Sequence, residues 1–145
     1  MKNAEIYKEY KKNMEDLSTC LHNLRSIEDQ MVLAASNDDA KALDDLVRKS
    51  QPDLLRFRGL DQERNRYEKV LGITGLTFRE ILEGPELDRD FADQLRPVLD
   101  HLSKELSLFK ESKDNADRIM KVRLLNVNRI LDNQPLPEPF HETLA

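Results

Sequence analysis

The chain has 145 residues and a net charge of −5, with 35% charged and 39% hydrophobic residues. Leucine supplies 23 residues, whereas Val, Ile and Thr together supply 16 and Trp is absent, which argues against a β-sandwich or barrel. The composition favours an all-α fold, an elongated antiparallel helical bundle or coiled coil. The acidic balance argues against nucleic acid as a partner, since dedicated nucleic-acid binders are basic.

The sequence also argues against membrane insertion. Its longest apolar run, residues 31–35, is short, whereas a helix that spans a bilayer needs about 20 apolar residues. The run is also too short, and too far from the N-terminus, for a signal peptide. The single cysteine, Cys20, cannot form an internal disulfide and is typical of a reducing compartment. We therefore expect a cytoplasmic protein.

An amphipathic pattern predicts a first helix over residues 3–35. Apolar residues recur every three or four positions, which keeps them on one helix face. They are Tyr7, Tyr10, Met14, Leu17, Leu21, Leu24, Ile27 and Met31. The polar segment 36–39 then supplies turn and N-cap chemistry. This short connection predicts a helical hairpin over residues 3–71.

The second helix of the hairpin is predicted over residues 39–71. Its apolar stripe consists of Leu43, Leu46, Val47, Leu54, Phe57, Leu60, Tyr67 and Leu71. Pro52 lies within this range, and proline removes a backbone donor and clashes with the preceding turn. We therefore expect a kink or a break at Pro52, with Ser50 as the cap of a restarted helix.

A connecting segment is predicted over residues 72–85. It opens with a compact turn that contains Gly72 and Gly75. Thr77 and Glu80 follow with the spacing of a capping box, which predicts a short helix over 77–83. We expect the side chains of Phe78 and Ile81 on this helix to plug the end of the bundle.

The last long helix is predicted over residues 88–132, which completes a single domain over 1–132. Its stripe consists of Leu95, Leu99, Leu102, Leu106, Phe109, Ala116, Met120, Val127 and Ile130. Pro97 predicts a bend. Alternate prolines favour an extended backbone after residue 132, so residues 133–145 are predicted to be a flexible tail.

Two segments near the centre of the chain resemble a known family. Residues 54–64 read Leu54-Leu55-Arg56-Phe57-Arg58-Gly59-Leu60-Asp61-Gln62-Glu63-Arg64. Residues 71–82 read Leu71-Gly72-Ile73-Thr74-Gly75-Leu76-Thr77-Phe78-Arg79-Glu80-Ile81-Leu82. They resemble the FlgN-type flagellar export chaperones, in which an Arg-Gly-Leu-acid-Gln phrase leads into a Gly-containing turn and a Thr-Phe-Arg-Glu-like short helix. The motif residues are Arg58, Gly59, Leu60, Gly72, Gly75, Thr77, Phe78 and Glu80.

The resemblance implies a function as well as a fold. The family is helical, cytoplasmic and non-enzymatic. Its members bind the C-terminal helices of hook-associated flagellar proteins, keep them unassembled and deliver them to the flagellar export apparatus. This implied role is that of a chaperone in flagellum biogenesis that works through protein binding.

Gly59 is the one motif residue whose position inside a helix requires an explanation. Glycine in a helix interior costs about 1 kcal/mol relative to alanine. The favoured explanation is close packing of the helix backbone against a neighbouring helix. A functional role for the Arg58-Gly59-Leu60 phrase is the alternative.

The end of the last helix is predicted to bind a partner. Its apolar residues, at about 100° per residue, cover well over half of the helix circumference, whereas packing on one side needs a stripe of little more than about 100°. These residues are Ile119, Met120, Val122, Leu124, Leu125, Val127, Ile130 and Leu131. The excess indicates a client helix, a second copy of the chain in a homo-oligomer, or a three-way core.

No pattern in the sequence indicates catalytic, cofactor-binding or metal-binding residues. The three aspartates at 88, 90 and 93 lack the glycine and glutamate of a calcium loop, and no histidine is paired for zinc. Nucleotide-binding and nucleophile motifs are also missing, so we expect no enzyme activity. The alternative to a chaperone is a self-associating structural coiled-coil module.

Overall fold

The computed structural model describes residues 2–131, with side chains described for 4–119 and 121. Over this range the protein is all-α, which confirms the predicted bundle of three long helices and one short connecting helix. The helices are α1 (Lys2–Ser36), α2 (Ala40–Leu71), α3 (Phe78–Glu83) and α4 (Arg89–Leu131). The predicted tail, 133–145, lies outside the described residues.

The turn between α1 and α2 has the predicted polar chemistry. Asp38 adopts a positive φ of 53°, a conformation that Asp tolerates better than most residues. Asp39 is the N-cap of α2, and its Oδ1 accepts a hydrogen bond of 3.0 Å from the backbone N–H of Ala42. The chain therefore reverses within three residues between the two helices.

Polar side chains of α1 show that α2 runs antiparallel to it. The Tyr10 hydroxyl donates to Glu68 Oε2 at 2.8 Å, and Asn13 Nδ2 donates to the Leu60 carbonyl at 3.0 Å. The partner number on α2 falls as the number on α1 rises. Each long helix of the hairpin is thus packed along most of its length against the other.

Helix α4 runs parallel to α1 and packs on the side of α1 that α2 leaves open. The rings of Tyr7 and Phe91 stack with centroids 4.2 Å apart, and Arg25 Nε lies 3.4 Å from Glu105 Oε2. At this offset the end of α1 lies level with about residue 120, and α4 continues to Leu131. The remaining ten or so residues correspond to about 15 Å of helix.

The core is centred on α1, which packs against both α2 and α4, whereas α2 and α4 make no comparable contact with each other. The predicted stripes of α1 and α4 supply most of the buried residues. The main cluster consists of Tyr10, Met14, Leu17, Leu21, Ile73, Ile81, Leu82, Leu87, Phe91, Leu95, Leu99 and Leu102. The bundle is therefore closed on two of its three helix–helix faces.

The two helix prolines do not break their helices. Helix α2 continues through Pro52 and α4 through Pro97, so the predicted alternative of a break is wrong. Both prolines are exposed. Each lacks the N–H that would bond the carbonyl four residues earlier, and that carbonyl lies on the side of the helix that water reaches. Ser50 does not cap a restarted helix. Its hydroxyl donates to the Val47 carbonyl at 2.6 Å.

The predicted close packing at Gly59 is also wrong. A Cβ built on Gly59 would meet no atom within 4 Å. The reason is that α2 contacts α1 on one side only, and Gly59 lies on the exposed side. Close packing occurs instead at Gly84, where a Cβ would lie 2.7 Å from the carbonyl oxygen of Glu80.

The connecting segment has the predicted turn and capping box. Gly72 ends α2 with a φ of 73°, and the N–H of Ile73 donates to the Glu68 carbonyl at 2.9 Å, as in a Schellman motif. The Thr77 side chain and the Glu80 side chain each bond the other's backbone N–H. These contacts, together with the fully buried Ile73, fix α3 across the end of the bundle.

Candidate functional site

An apolar groove lies between α2 and α4, with α1 as its floor. It encloses about 220 Å³. The floor is formed by α1, one wall by α2, the other wall by α4 and the lower end by α3. The lining residues are Leu17, Leu21, Phe57, Asp61, Arg64, Phe78, Leu102 and Leu106.

The groove exists because α2 is covered on one side only. Among the described residues of α2, the buried ones are Ser50 and Glu68, and no apolar side chain of this helix is buried. Phe57, Leu60 and Tyr67 are partly buried against the core. The predicted stripe of α2 is therefore half open along the edge that faces α4.

Exposed apolar side chains continue the groove toward the hairpin turn. Leu54 is 41% exposed and Val47 is 46% exposed. Val47, Leu54 and Asp61 are seven residues apart, so they lie on the same face of α2. Leu106 on the facing wall is 39% exposed. A sequence of apolar contacts thus lies open along both walls, in the geometry that a further helix requires.

The lower end of the groove is closed by Phe78, the first residue of α3. Phe78 is half-buried and also borders a second, more polar cavity of about 420 Å³ between α3 and α4. That cavity is lined by charged side chains such as Arg79, Glu83, Arg96 and Asp100. Of the two side chains predicted to plug the bundle, Ile81 is fully buried, whereas the half-buried Phe78 closes the lower end of the groove.

A polar network lies beside the apolar lining. Arg64 Nη1 donates to Glu68 Oε1 at 2.8 Å, and its Nε and Nη2 donate to Asp61 Oδ1 at 3.1 and 2.9 Å. Tyr10 donates to the other oxygen of Glu68. Burial, with the negative charge of Glu68 beside it, raises the pKa of the Tyr10 phenol far above its ordinary value of 10.0. The network therefore links a core tyrosine to the groove wall.

A second buried carboxylate lies at the interface of α1 and α4. Glu105 is 6% exposed, and its Oε1 lies 3.5 Å from His22 Nδ1 and 3.8 Å from His101 Nε2. Arg25 lies at 3.4 Å. These cationic or polar neighbours compensate a buried charge. The sequence did not indicate this cluster, because its four side chains come from two helices.

Within the described residues, no group of three His, Cys, Asp or Glu side chains is arranged to hold a metal ion. Asp88, which the sequence placed in a poor calcium-loop pattern, accepts from the backbone N–H of Phe91 at 3.4 Å with its Oδ2. Asp88 therefore caps the N-terminus of α4. None of the helices, over the part of the chain that the structure describes, is long and apolar enough to cross a bilayer.

Most side chains of the predicted partner-binding surface lie outside the part of the chain whose side chains the structure describes. Ile119 is half-buried. The other side chains of that prediction, Met120, Val122, Leu124, Leu125, Val127, Ile130 and Leu131, are not among those described. The partner-binding role of 119–131 stays a prediction.

The motif residues occupy two regions near the groove. Arg58 and Gly59 are exposed, and Leu60 contributes its carbonyl to Asn13. Gly72 and Gly75 have positive φ angles of 73° and 81°. Together with the capping box, the motif shapes the end of α2 and the position of α3, which set one wall and the lower end of the groove.

The groove itself was not predicted as a site. Its apolar residues Phe57, Leu102 and Leu106 were expected in the core, because a stripe in a sequence does not show which helix covers it. Asp61 and Arg64 are the residues from which the open face could have been predicted. Both are charged residues on the apolar face of α2, which indicates that water reaches this face.

Comparisons of the chain with family models, with curated proteins and with solved structures find no match.

Proposed function

We propose that this protein is a cytoplasmic export chaperone and that its client helix binds in the groove between α2 and α4. The client class, the C-terminal helices of hook-associated flagellar proteins, follows from the resemblance of residues 54–64 and 71–82. The flagellar export apparatus is the further partner that the resemblance implies. The groove supports a helix-binding role independently of that resemblance.

The observation that carries the proposal is the half-open stripe of α2. A bundle in which one long helix buries no apolar side chain among its described residues lacks a neighbour on that side. An amphipathic client helix placed between α2 and α4 would contact Leu54 and Leu106 while covering Phe57. The client thereby completes a four-helix arrangement around α1.

The free energy of apolar burial favours binding of a client helix in the groove. Burying a large apolar side chain is worth about 1.5–3 kcal/mol relative to leaving it exposed. A client helix in the groove loses its own exposed stripe at the same time. Since that stripe is the surface through which the client would assemble, the complex holds the client in an unassembled form.

The test is calorimetric titration with a synthetic peptide of the C-terminal helix of a hook-associated protein from the same cell. We expect the unaltered chain to bind the peptide. Leu106→Asp should weaken binding by at least tenfold, because a carboxylate in an apolar interface carries a desolvation penalty of about 1.4 kcal/mol or more. Circular dichroism should show that Leu106→Asp remains folded, since Leu106 is 39% exposed.

Leu55→Asp is the matched control. Leu55 is 65% exposed, lies on the same helix as the groove wall and does not line the groove. We expect the affinity of Leu55→Asp for the peptide to stay within about twofold of the unaltered chain, because a surface substitution usually changes a free energy by no more than about 0.5 kcal/mol. Equal loss in both variants, or no binding by the unaltered chain, would contradict the proposal.

The same experiment separates the chaperone from a self-associating coiled-coil module. A second copy of the chain could fill the groove in such a module. Sedimentation of the unaltered chain would then show a dimer that Leu106→Asp converts to a monomer. The chaperone proposal instead predicts an unchanged mass in Leu106→Asp and a one-to-one complex with the peptide.

A further inference from the structure

The groove carries a negative charge that a bound helix must compensate. We propose that it selects amphipathic helices with a basic residue at the edge of the apolar stripe, placed against Asp61. This inference rests on the proposed function, because it concerns the partner of the same groove. It adds a criterion, the sign of one flanking charge, which an apolar stripe alone does not supply.

Asp61 has an oxygen available to a partner. Its Oδ1 accepts both bonds from Arg64, at 3.1 and 2.9 Å, whereas no described residue donates to its Oδ2. The Asp61 side chain is 43% exposed and lines the groove. A donor from a bound helix therefore reaches a carboxylate oxygen without displacing Arg64.

The local charge balance is negative. Arg64 lies between two carboxylates, since it also donates to Glu68 at 2.8 Å. Tyr10, the other partner of Glu68, contributes no charge because its neutral phenol donates its proton to that carboxylate in a hydrogen bond. Within this hydrogen-bonded network, one positive and two negative groups leave a net charge of −1.

The remaining lining does not compensate this charge. It is apolar and consists of Leu17, Leu21, Phe57, Phe78, Leu102 and Leu106. A lysine or arginine fits such a border, because its methylene stem packs on apolar surface while its charged end reaches the carboxylate. A glutamate at the same place would lie against the excess negative charge.

Arg64 does not make the groove a site for carboxylates. Its guanidinium already donates to Asp61 and Glu68 from three nitrogens, and both carboxylates belong to its own helix. Two of its five N–H groups have no partner among the described residues, but a client carboxylate that accepted from them would lie beside two carboxylates already paired with the same guanidinium. The geometry therefore favours a basic partner residue over an acidic one.

The test uses three synthetic 21-residue amphipathic helices that differ only at the positions flanking a leucine stripe. These positions carry lysine, glutamine or glutamate. Fluorescence anisotropy measures their affinities for the unaltered chain, for Asp61→Asn and for Asp45→Asn. Asp45 is an exposed residue of α2 that does not line the groove, so its variant makes the same change in net charge.

We expect the unaltered chain to prefer the lysine peptide over the glutamate peptide by roughly tenfold, which corresponds to about 1.4 kcal/mol for a hydrogen bond to a charged group. Asp61→Asn should reduce this preference to less than threefold, because Asn still accepts from Arg64 but lacks the charge. Asp45→Asn should retain the preference.

Four results would overturn the inference. The preference for lysine would be a general effect of the acidic protein if Asp45→Asn reduced it as much as Asp61→Asn. A preference for the glutamate peptide would show that Arg64 recognises carboxylates. If all three peptides bind equally and Leu106→Asp weakens all of them, the groove binds helices without selecting charge. If none binds, the proposed function fails together with this inference.

Discussion

Individual polar side chains of α1 fix the register of the hairpin through backbone carbonyls of α2. Asn13, which is 3% exposed, donates to the Leu60 carbonyl at 3.0 Å, and the Cys20 thiol donates to the Asp53 carbonyl at 3.2 Å. Burial raises the pKa of the Cys20 thiol, which keeps its proton available for this bond. A shift of α2 along α1 would leave buried polar groups without partners, at a cost of about 1–3 kcal/mol each.

Two glycines differ in what a methyl group would meet. Gly59→Ala should raise the free energy of unfolding by about 1 kcal/mol, because alanine has the higher helix propensity and the added Cβ meets nothing within 4 Å. Gly84→Ala should lower it, because the Cβ would lie 2.7 Å from the Glu80 carbonyl oxygen. Urea unfolding of the two variants measures both changes. A loss of stability in Gly59→Ala would show that α2 is approached from its exposed side.

Glu28 makes stability depend on pH. Burial is the main cause that raises the pKa of Glu28 from 4.5, while the charge of Lys113 acts in the opposite direction. A carboxyl whose pKa is higher in the folded protein binds more protons there than in the unfolded chain. Stability therefore falls as pH rises from about the unfolded pKa through the folded pKa.

Glu28→Gln should accordingly stabilise the protein at pH 7, and the gain should shrink as the pH falls through the raised folded pKa to 4.5, below which the glutamate is protonated in both the folded and the unfolded state. Thermal melts over this pH range provide the measurement. Glu9→Gln, at an exposed position of the same helix, is the control and should show a smaller effect. A loss of stability in Glu28→Gln at pH 7 would mean that attraction to Lys113 outweighs the cost of burial.

At the scale of elements, α2 and α4 differ in how completely they are covered. Helix α4 buries Leu95, Leu99 and Leu102 against α1, and its later buried residues extend to Ala116. Helix α2 buries only polar side chains. The site of client binding is therefore expected on the α2 side of the bundle, with the end of α4 as a continuation beyond the hairpin turn.

Substitution at the end of α4 tests that continuation. We expect Leu124→Asp combined with Val127→Asp to weaken client binding, because residues 119–131 have more apolar positions than one packing face uses and a carboxylate reverses a burial gain of about 1.5–3 kcal/mol per side chain. The hairpin should stay folded, since the main core cluster ends at Leu102. Calorimetry and circular dichroism measure the two effects.

Two outcomes would contradict this expectation in different ways. Unchanged affinity in a folded double variant would confine the client to the groove between α2 and α4. A general loss of helicity would show that 119–131 belongs to the protein's own core. Leu106→Asp is the comparison in either case, because its side chain lines the described groove.

For the whole molecule, the sequence was sufficient for the helices and their order. Capping residues such as Asp39 and Thr77 and the turn at Gly72 act locally, and their hydrogen bonds form within a few residues. The open face was not predictable in the same way. The periodicity of α2 shows that Phe57 and Leu60 share a face, but it does not show that α4 stays away from that face.

Gly59 illustrates the same limit. An interior glycine indicates close packing only if another helix approaches it, and α2 has a neighbour on one side. The polar interruptions Asp61 and Arg64 contained the missing information, because charged residues within an apolar stripe are rarely fully buried. Their network with Glu68 depends on distances that only the folded helices define.

We propose that a client helix occupies the groove between α2 and α4. The most direct measurement is methyl-resolved NMR of the leucine-labelled protein during titration with the C-terminal helix of a hook-associated protein. We expect the largest shifts at Leu17, Leu102 and Leu106, which line the groove, and little change at the exposed Leu33 and Leu55. Shifts concentrated at Leu33 or Leu55, with the groove leucines unaffected, would contradict it.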